Sequence, residues 1–377
     1  MLFDLLNAQP VASSKFHGGG ETSKKEFLVL AQEQGKMIDL IVFYNKDLFL
    51  DEYIKKTIEQ KRIKTYDLKT PEEIKNVFKK EQIDTFYSCI PYTYKRSWIP
   101  KSVRFIGTVH GLRLLELPAE KYASKYYSGI KSIKQIVKYL LLKKAWKRKR
   151  EADYGTLLEA LDEIITVSWH SAYSIRYYYP GIANKPIHVL YPPLKTTEMS
   201  IADTAGIDLP YILLMGGNRY EKNCYREILS VENLFKRGYL ADYRIIVVGS
   251  VNKKIIKHIS DTNRYIFKDY LETEELERLY KFASVFFYAS LNEGFGIPPL
   301  EAMRYGVTCV VSGVCSLPEV YGDSVYYVNP YDVDEMSSRL LFATENPICQ
   351  KTIKNRLELI TAKQESDLKN ICELITS

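Results

Sequence analysis

Residues Phe287 to Glu319 read FYASLNEGFGIPPLEAMRYGVTCVVSGVCSLPE, and the fold turns on how this stretch is read. It begins inside an apolar run, Val285 to Phe287, of the kind that forms a buried strand. At its centre two carboxylates, Glu293 and Glu301, flank seven residues, of which two are glycine and two proline. Proline fits the first turn of a helix, where N–H groups lack intrahelical partners, so Pro298 and Pro299 predict a helix start and Gly306 its end. Glu293 then sits in the loop leaving the strand, and Glu301 in the first turns of a short helix. The glycines between them let the backbone approach a ligand closely. The loop amides and the helix N-terminus offer donors to an anionic or hydroxyl-rich one. The stretch is a polar cradle with a carboxylate on either side.

Upstream, the same strand–loop–helix grammar recurs. A strand at Tyr211 to Met215 runs into Gly216-Gly217-Asn218-Arg219-Tyr220-Glu221-Lys222-Asn223 and then a helix. Glycines at a strand end, two cations three residues apart and a helix N-terminus make an anion site. Cations there are unfavourable against the helix dipole unless an anion is bound. A strand at Tyr243 to Val248, a helix from about Lys253 and the stretch Tyr265 to Leu271 follow. A helix from Glu274 to Phe282, capped by Thr273, comes next. Asp332 and Asp334 have the spacing of a metal-binding pair. With Glu335 three residues after Asp332 they read instead as a capping box, so no metal is expected.

The first third alternates in the same way, with strands at Leu2 to Leu6, Asp39 to Tyr44, Ile63 to Asp67, Thr85 to Ile90 and Val103 to Val109. Helices are predicted from Glu21 to Gln34 and from Pro71 to Lys80. This rhythm predicts an open parallel sheet with helices on both faces, whose ligands bind beyond the carboxyl ends of the strands. Two such ends stand out. Lys15-Phe16-His17-Gly18-Gly19-Gly20 follows the first strand, and three consecutive glycines free the backbone for a phosphate or an acceptor, or simply make a flexible loop. His110, before Gly111, closes the strand Val103 to Val109 and faces the expected crevice.

The string EGFGIPPLEAM, with its flanking strand and Ser316-Leu-Pro-Glu-Val320, strongly resembles the E-x7-E signature of the family 4 glycosyltransferases, a retaining family with the GT-B fold. The resemblance extends over nearly the whole chain and is strongest from 210 to 330. It implies two doubly wound Rossmann-like α/β domains with an inter-domain cleft. These would be an acceptor domain 1–194, a nucleotide-sugar domain 195–350, and a helical segment 351–377 crossing back to the first. It implies that Glu293 with the backbone of Gly294, Phe295, Gly296 and Ile297 faces the donor sugar and Glu301 the ribose. Arg219 and Lys222, beside Gly217, would grip the diphosphate. Gly18, Gly19 and Gly20 would lie against phosphate and acceptor, and His110 beside the transferred sugar. Relatives often carry an aspartate after that histidine, where this chain has Gly111. They also carry a glycine near Asp269, where Lys268 and Asp269 here are expected to meet the base with charged side chains.

Composition agrees with a folded protein. The 377 residues are 46% apolar and 26% charged, enough for two domains with their own cores. Six scattered cysteines form no C-x-x-C pair, so neither zinc nor a disulfide framework is indicated. The N-terminus lacks a basic region and a long apolar stretch and reads as a first strand, so the protein is expected in the cytoplasm. The net charge of +7 is concentrated in 121–150, which holds eleven Lys or Arg and no acid, leaving −4 elsewhere. There Ile130, Ile133, Ile136, Val137, Leu140, Leu141 and Ala145 recur at helical spacing. Two readings stand: contact with anionic lipid, peripheral on the inner face of the plasma membrane, or a solvated helix covering the sheet. No recognition motif accompanies the charge, so nucleic acid is not expected.

The expected reaction moves a sugar from a nucleotide diphosphate sugar to a hydroxyl of a glycan or lipid-linked acceptor, with retained configuration and without cofactor or metal. Glu293, His110, Arg219 and Lys222 would be the catalytic groups. Polysaccharide synthesis at a bacterial surface is the setting the family suggests. A sugar-nucleotide epimerase and a catalytically silent partner subunit are the other readings. A glycosidase using both glutamates would leave the diphosphate site unexplained.

Overall fold

The computed structural model describes residues 1–10, 18–36, 38–117, 119–182, 184–193, 206–269 and 271–377. The chain divides into two compact units, the first made of 1–112, 150–196 and 361–377, the second of 113–149 and 197–360. Each is built on one sheet. The first unit holds β1 (Leu2–Asp4), β2 (Ile41–Tyr44), β3 (Lys64–Asp67), β4 (Thr85–Ser88), β5 (Arg104–Val109), β6 (Glu163–Thr166) and β7 (Ile187–Val189). Their spatial order is β3-β2-β1-β4-β5-β6-β7, with every pairing parallel. The second holds β8 (Tyr211–Met215), β9 (Arg244–Val248), β10 (Tyr265–Lys268), β11 (Val285–Tyr288), β12 (Thr308–Ser312) and β13 (Tyr326–Val328), ordered β10-β9-β8-β11-β12-β13 and again all parallel.

Both orders reverse once, between β1 and β4 and between β8 and β11. At such a switch point the connections leave in opposite directions and open a crevice at the carboxyl ends. The stretch that opened the sequence analysis lies at one of them. β11 is buried along its whole length, as a strand covered on both faces must be. Phe287 joins Ile212, Leu214, Ile245 and Val310 in the core of the second unit. In the first unit Phe3, Val42, Tyr87, Ile106 and Ile165 form the equivalent core.

Several boundaries differ from the sequence expectation for local reasons. β1 stops at Asp4, because its carboxylate accepts hydrogen bonds from the backbone and side chain of Asn7 and turns the chain into a short 3-10 helix, Leu6–Ala8. The first helix begins at Gly18 rather than Glu21 and runs to Leu30, so the three glycines are its first turn and not a loop before it. Lys15 to His17 lie outside the described residues, as do 194–205. The helix expected from Glu274 starts at Thr273 with Glu272 as its cap. Asp332 does cap the helix Val333–Glu345, accepting from the N–H groups of Asp334 and Glu335, whereas the Glu335 side chain accepts from Asn329 N–H.

The larger difference concerns 113–149, which the sequence division assigned to the first domain and which packs with the second unit. Tyr126 enters that unit's core and its hydroxyl accepts from Tyr225 N–H at 2.8 Å. Arg226 makes a forked contact to both oxygens of Glu120, at 3.2 and 2.5 Å. The basic segment is not one helix but a 3-10 turn, Lys121–Tyr126, followed by helices Gly129–Leu140 and Lys143–Ala160. Its apolar side chains do not cover a sheet, since Ile130, Ile133, Leu140 and Leu141 are exposed. At the other end of the chain, Ile371, Cys372 and Ile375 of the helix Gln350–Thr376 lie in the first unit's core. Tyr191 N–H donates to Asp367 at 2.8 Å.

Candidate functional site

In the second unit, the loops leaving β8 and β11 bring a lysine and a glutamate into contact. After β8 the chain turns at Gly216, whose φ of +85° and bare Cα make room for Lys222; a Cβ there would lie 2.5 Å from Lys222 Cγ. Gly216 and Gly217 N–H groups both donate to Val248 O, at 2.8 and 3.2 Å, tying this loop to the end of β9. Arg219 and Lys222 then bracket a single 3-10 turn, Tyr220–Lys222, ahead of the helix Cys224–Lys236.

Lys222 is buried, and its ammonium lies 2.6 Å from Glu293 Oε1. The same carboxylate oxygen accepts from Tyr288 Oη and Ser290 Oγ, each at 2.7 Å. Tyr288 Oη in turn accepts from Lys222 Nζ. All three bonds converge on Oε1, and Oε2 takes none of them. Burial opposes ionisation of Glu293, but the charges of Lys222 and Arg113 and the donated hydrogen bonds outweigh it and hold its pKa at about 2. Burial pushes Lys222 downward while Glu293 pulls it back up. A carboxyl held at about 2 is ionised at neutral pH.

The loop from Glu293 to Ile297 is clamped from outside. Ser316 Oγ donates to Glu293 O at 3.0 Å, and Tyr321 Oη donates to Gly296 O. Gly296 has φ +90°, and a Cβ on it would lie 2.4 Å from Leu317 Cδ2, so only glycine permits this turn into the helix Ile297–Met303. Glu301 lies in that helix and accepts from Tyr280 Oη at 3.0 Å. The two glutamates are thus held by different tyrosines.

Arg219 reaches Glu221 Oε1 through Nε at 2.9 Å and a terminal nitrogen at 2.6 Å, and Arg113 reaches the same oxygen at 3.2 Å. One carboxylate therefore orders two guanidinium groups beside the Lys222–Glu293 pair. Lys268 and Asp269 stand at the end of β10, where Lys268 pairs with Glu275 at 2.9 Å and Asp269 accepts from Ser250 at 2.8 Å.

In the first unit, the end of β5 and the glycine turn meet around Cys89. His110 Nε2 lies 2.9 Å from Cys89 O and must donate to it, which leaves Nδ1 of the neutral ring as an acceptor. Cys89 Sγ is 3.7 Å from Gly19 O. Behind them Glu26, fully buried in the first helix, accepts from Tyr87 Oη at 2.8 Å, and Tyr87 Oη lies 2.7 Å from Thr108 Oγ1. Burial raises Glu26 to about 8, against the opposing hydrogen bonds from Tyr87 and Cys89.

Arg113, Glu221, Tyr288 and Ser290 were not singled out from the sequence. Tyr288 and Ser290 lie inside the decisive stretch and Glu221 between the two predicted cations, so their positions carried a signal. Arg113 carried none, because a contact over 108 residues is invisible in the chain.

Residues 203–363 match the family described as glycosyl transferases group 1. A stretch of 72 residues is 50% identical to the O-antigen chain mannosyltransferase B of Escherichia coli, covering 19% of each protein, so the aligned part spans about a fifth of that relative. Among solved structures, a sucrose-phosphate synthase from Thermosynechococcus elongatus superposes with a TM-score of 0.72 over 99% of this chain and 97% of its own, at 15% identity. The Anabaena protein HepE, in complex with UDP and glucose, superposes with a TM-score of 0.63 over 100% and 98%, at 12% identity. This match lies over the β8–β13 sheet and its Glu293–Glu301 loop, so residues 203–363 are of the group 1 glycosyl transferase type, and the whole chain has the GT-B fold.

Proposed function

We propose that the chain is a retaining glycosyltransferase that moves a mannosyl residue from a nucleoside diphosphate mannose to a hydroxyl of a glycan or lipid-linked acceptor in surface polysaccharide synthesis. The observation that carries this reading is the buried Lys222–Glu293 pair at the β8/β11 switch point, with Oε1 saturated and Oε2 left for a sugar hydroxyl. The mannosyl group and the setting rest on the name of the Escherichia coli relative.

In this reaction Arg219 and Lys222 stabilise charge building on the departing diphosphate, in a site where the carboxylates already orient them. Those two cations, with no metal, neutralise the leaving group. Glu293 accepts from the sugar and offsets positive charge at the anomeric carbon. A carboxyl with a pKa of about 2 holds no proton to give, so it is no general acid of the glycosidase kind. The acceptor attacks on the face from which the diphosphate leaves, and a phosphate oxygen takes its proton. Glu301 binds the ribose, and His110 with the turn Gly18 to Gly20 serves the transferred sugar and the acceptor.

Isothermal titration with GDP, UDP and ADP, on wild type and Arg219→Ala, tests the reading. One nucleoside diphosphate should bind, and the variant should weaken it by roughly 10- to 100-fold, the worth of a charge-assisted contact. Absence of binding by all three at millimolar concentration overturns it. Conversion of the sugar nucleotide with no acceptor present would point to epimerisation instead.

A further inference from the structure

The helix Gly129–Leu140 is packed with its polar side inward. Ser132 is its only buried residue; its hydroxyl donates to Ser124 O at 3.0 Å and accepts from Lys254 at 2.6 Å. Just before the helix, Ser128 accepts from Asn252 at 3.0 Å. On the other side Ile130, Ile133, Val137, Leu140 and Leu141 recur at i, i+3, i+7, i+10 and i+11 and form one stripe. Their exposures are 72, 60, 36, 65 and 78%. Soluble proteins keep such contiguous apolar surface covered, so this stripe marks a contact.

We infer that this stripe and its lysines form a membrane-docking face that lies in the plane of an anionic bilayer, carried by the unit that also holds the Lys222–Glu293 site. The charge decides between occupants. Segment 121–150 has eleven basic residues and no acid, so a second copy meeting the same face would set lysine against lysine. Nucleic acid would match the lysines and leave the aliphatic stripe in water. An anionic bilayer matches both, taking the stripe below the headgroups and the lysines among them. Among the described residues no helix is long and apolar enough to cross a membrane, so the contact is interfacial. The inference does not depend on the sugar-transfer reading, because its test requires no donor.

The test is flotation of the full chain with vesicles of phosphatidylcholine alone and of phosphatidylcholine and phosphatidylglycerol in equal parts. Wild type should float with the anionic vesicles only and be released by salt near 1 M, where screening falls to about 3 Å. The triple variant Ile133→Ser, Leu140→Ser, Leu141→Ser should lose at least about tenfold in bound fraction with its melting temperature unchanged, since no core contact is removed. Lys131→Gln with Lys134→Gln should weaken binding to anionic vesicles alone. No flotation of wild type, or equal flotation of the triple variant, overturns the inference. So does a wild-type dimer that the triple variant turns into monomer without vesicle binding, which would assign the stripe to a second copy.

Discussion

The two sheets end in buried carboxylates of opposite character. At β8 and β11, Glu293 has a lysine at 2.6 Å and stays ionised, at about 2. At β1 and β4, Asp4 has amide and hydroxyl partners and Glu26 hydroxyl and thiol partners, and burial raises both, Glu26 to about 8. The same topology thus supports one charged and one neutral crevice. The difference lies in whether a cation accompanies the acid, because desolvation alone always favours the protonated form. A charged crevice suits a ligand that is itself charged. A neutral one suits hydroxyl groups.

The largest effect that would break this contrast is Lys222→Met. It leaves Glu293 buried without its cation, and urea unfolding at neutral pH should show a loss of about 3–5 kcal/mol, with nucleoside diphosphate binding abolished. A loss under about 1 kcal/mol would mean that the pair contributes nothing and that Glu293 has taken a proton instead.

The neutral crevice responds to pH in the other sense. Glu26 has a folded pKa above its unfolded value near 4.3, so the native state binds more protons between the two, and its contribution falls as pH rises from about 4.3 to about 8. Glu26→Gln removes that titration. It should match wild type near pH 4 and exceed it by about 5 kcal/mol near pH 9, read from urea midpoints at both values. For Glu293 the sign reverses, since its stabilisation is present above about 4.3 and lost as pH falls toward about 2. Equal pH profiles for Glu26→Gln and wild type would erase the distinction between the crevices.

A smaller effect sharpens the comparison. Gly296→Ala forces a side chain into φ +90° and against Leu317, and should cost about 1–3 kcal/mol while weakening nucleotide binding, because the loop carrying Glu293 must shift. The smallest is Ile133→Ser on the exposed stripe, which should change unfolding free energy by no more than about 0.5 kcal/mol in the absence of lipid.

Most of the geometry around Glu293 was legible in the chain because its parts are local. Two prolines at a helix start, glycine at the turn before them and an acid on either side specify a loop whose shape depends on neighbours in sequence. Arg219 and Lys222 sit three residues apart on one turn for the same reason. The first unit's crevice was half legible: His110 at a strand end was, whereas the start of the first helix at Gly18 was not, since glycine's poor helix propensity hides a helix held by its later apolar residues, such as Phe27 and Leu30. The ordering residues were least legible, because Arg113 meets Glu221 across the chain and Glu26 meets Tyr87 across 61 residues.

The sequence by itself determined the two parallel sheets, the Glu293–Glu301 loop and the cationic turn, because strand periodicity, proline, glycine and capping act within a few residues. The tertiary structure alone decided that Glu293 is ionised and Glu26 neutral, since a pKa depends on which groups surround an acid in space. It also decided which unit carries the basic segment and which face of its helix is exposed. An amphipathic pattern states that a helix has two faces, and only packing determines which of them turns outward.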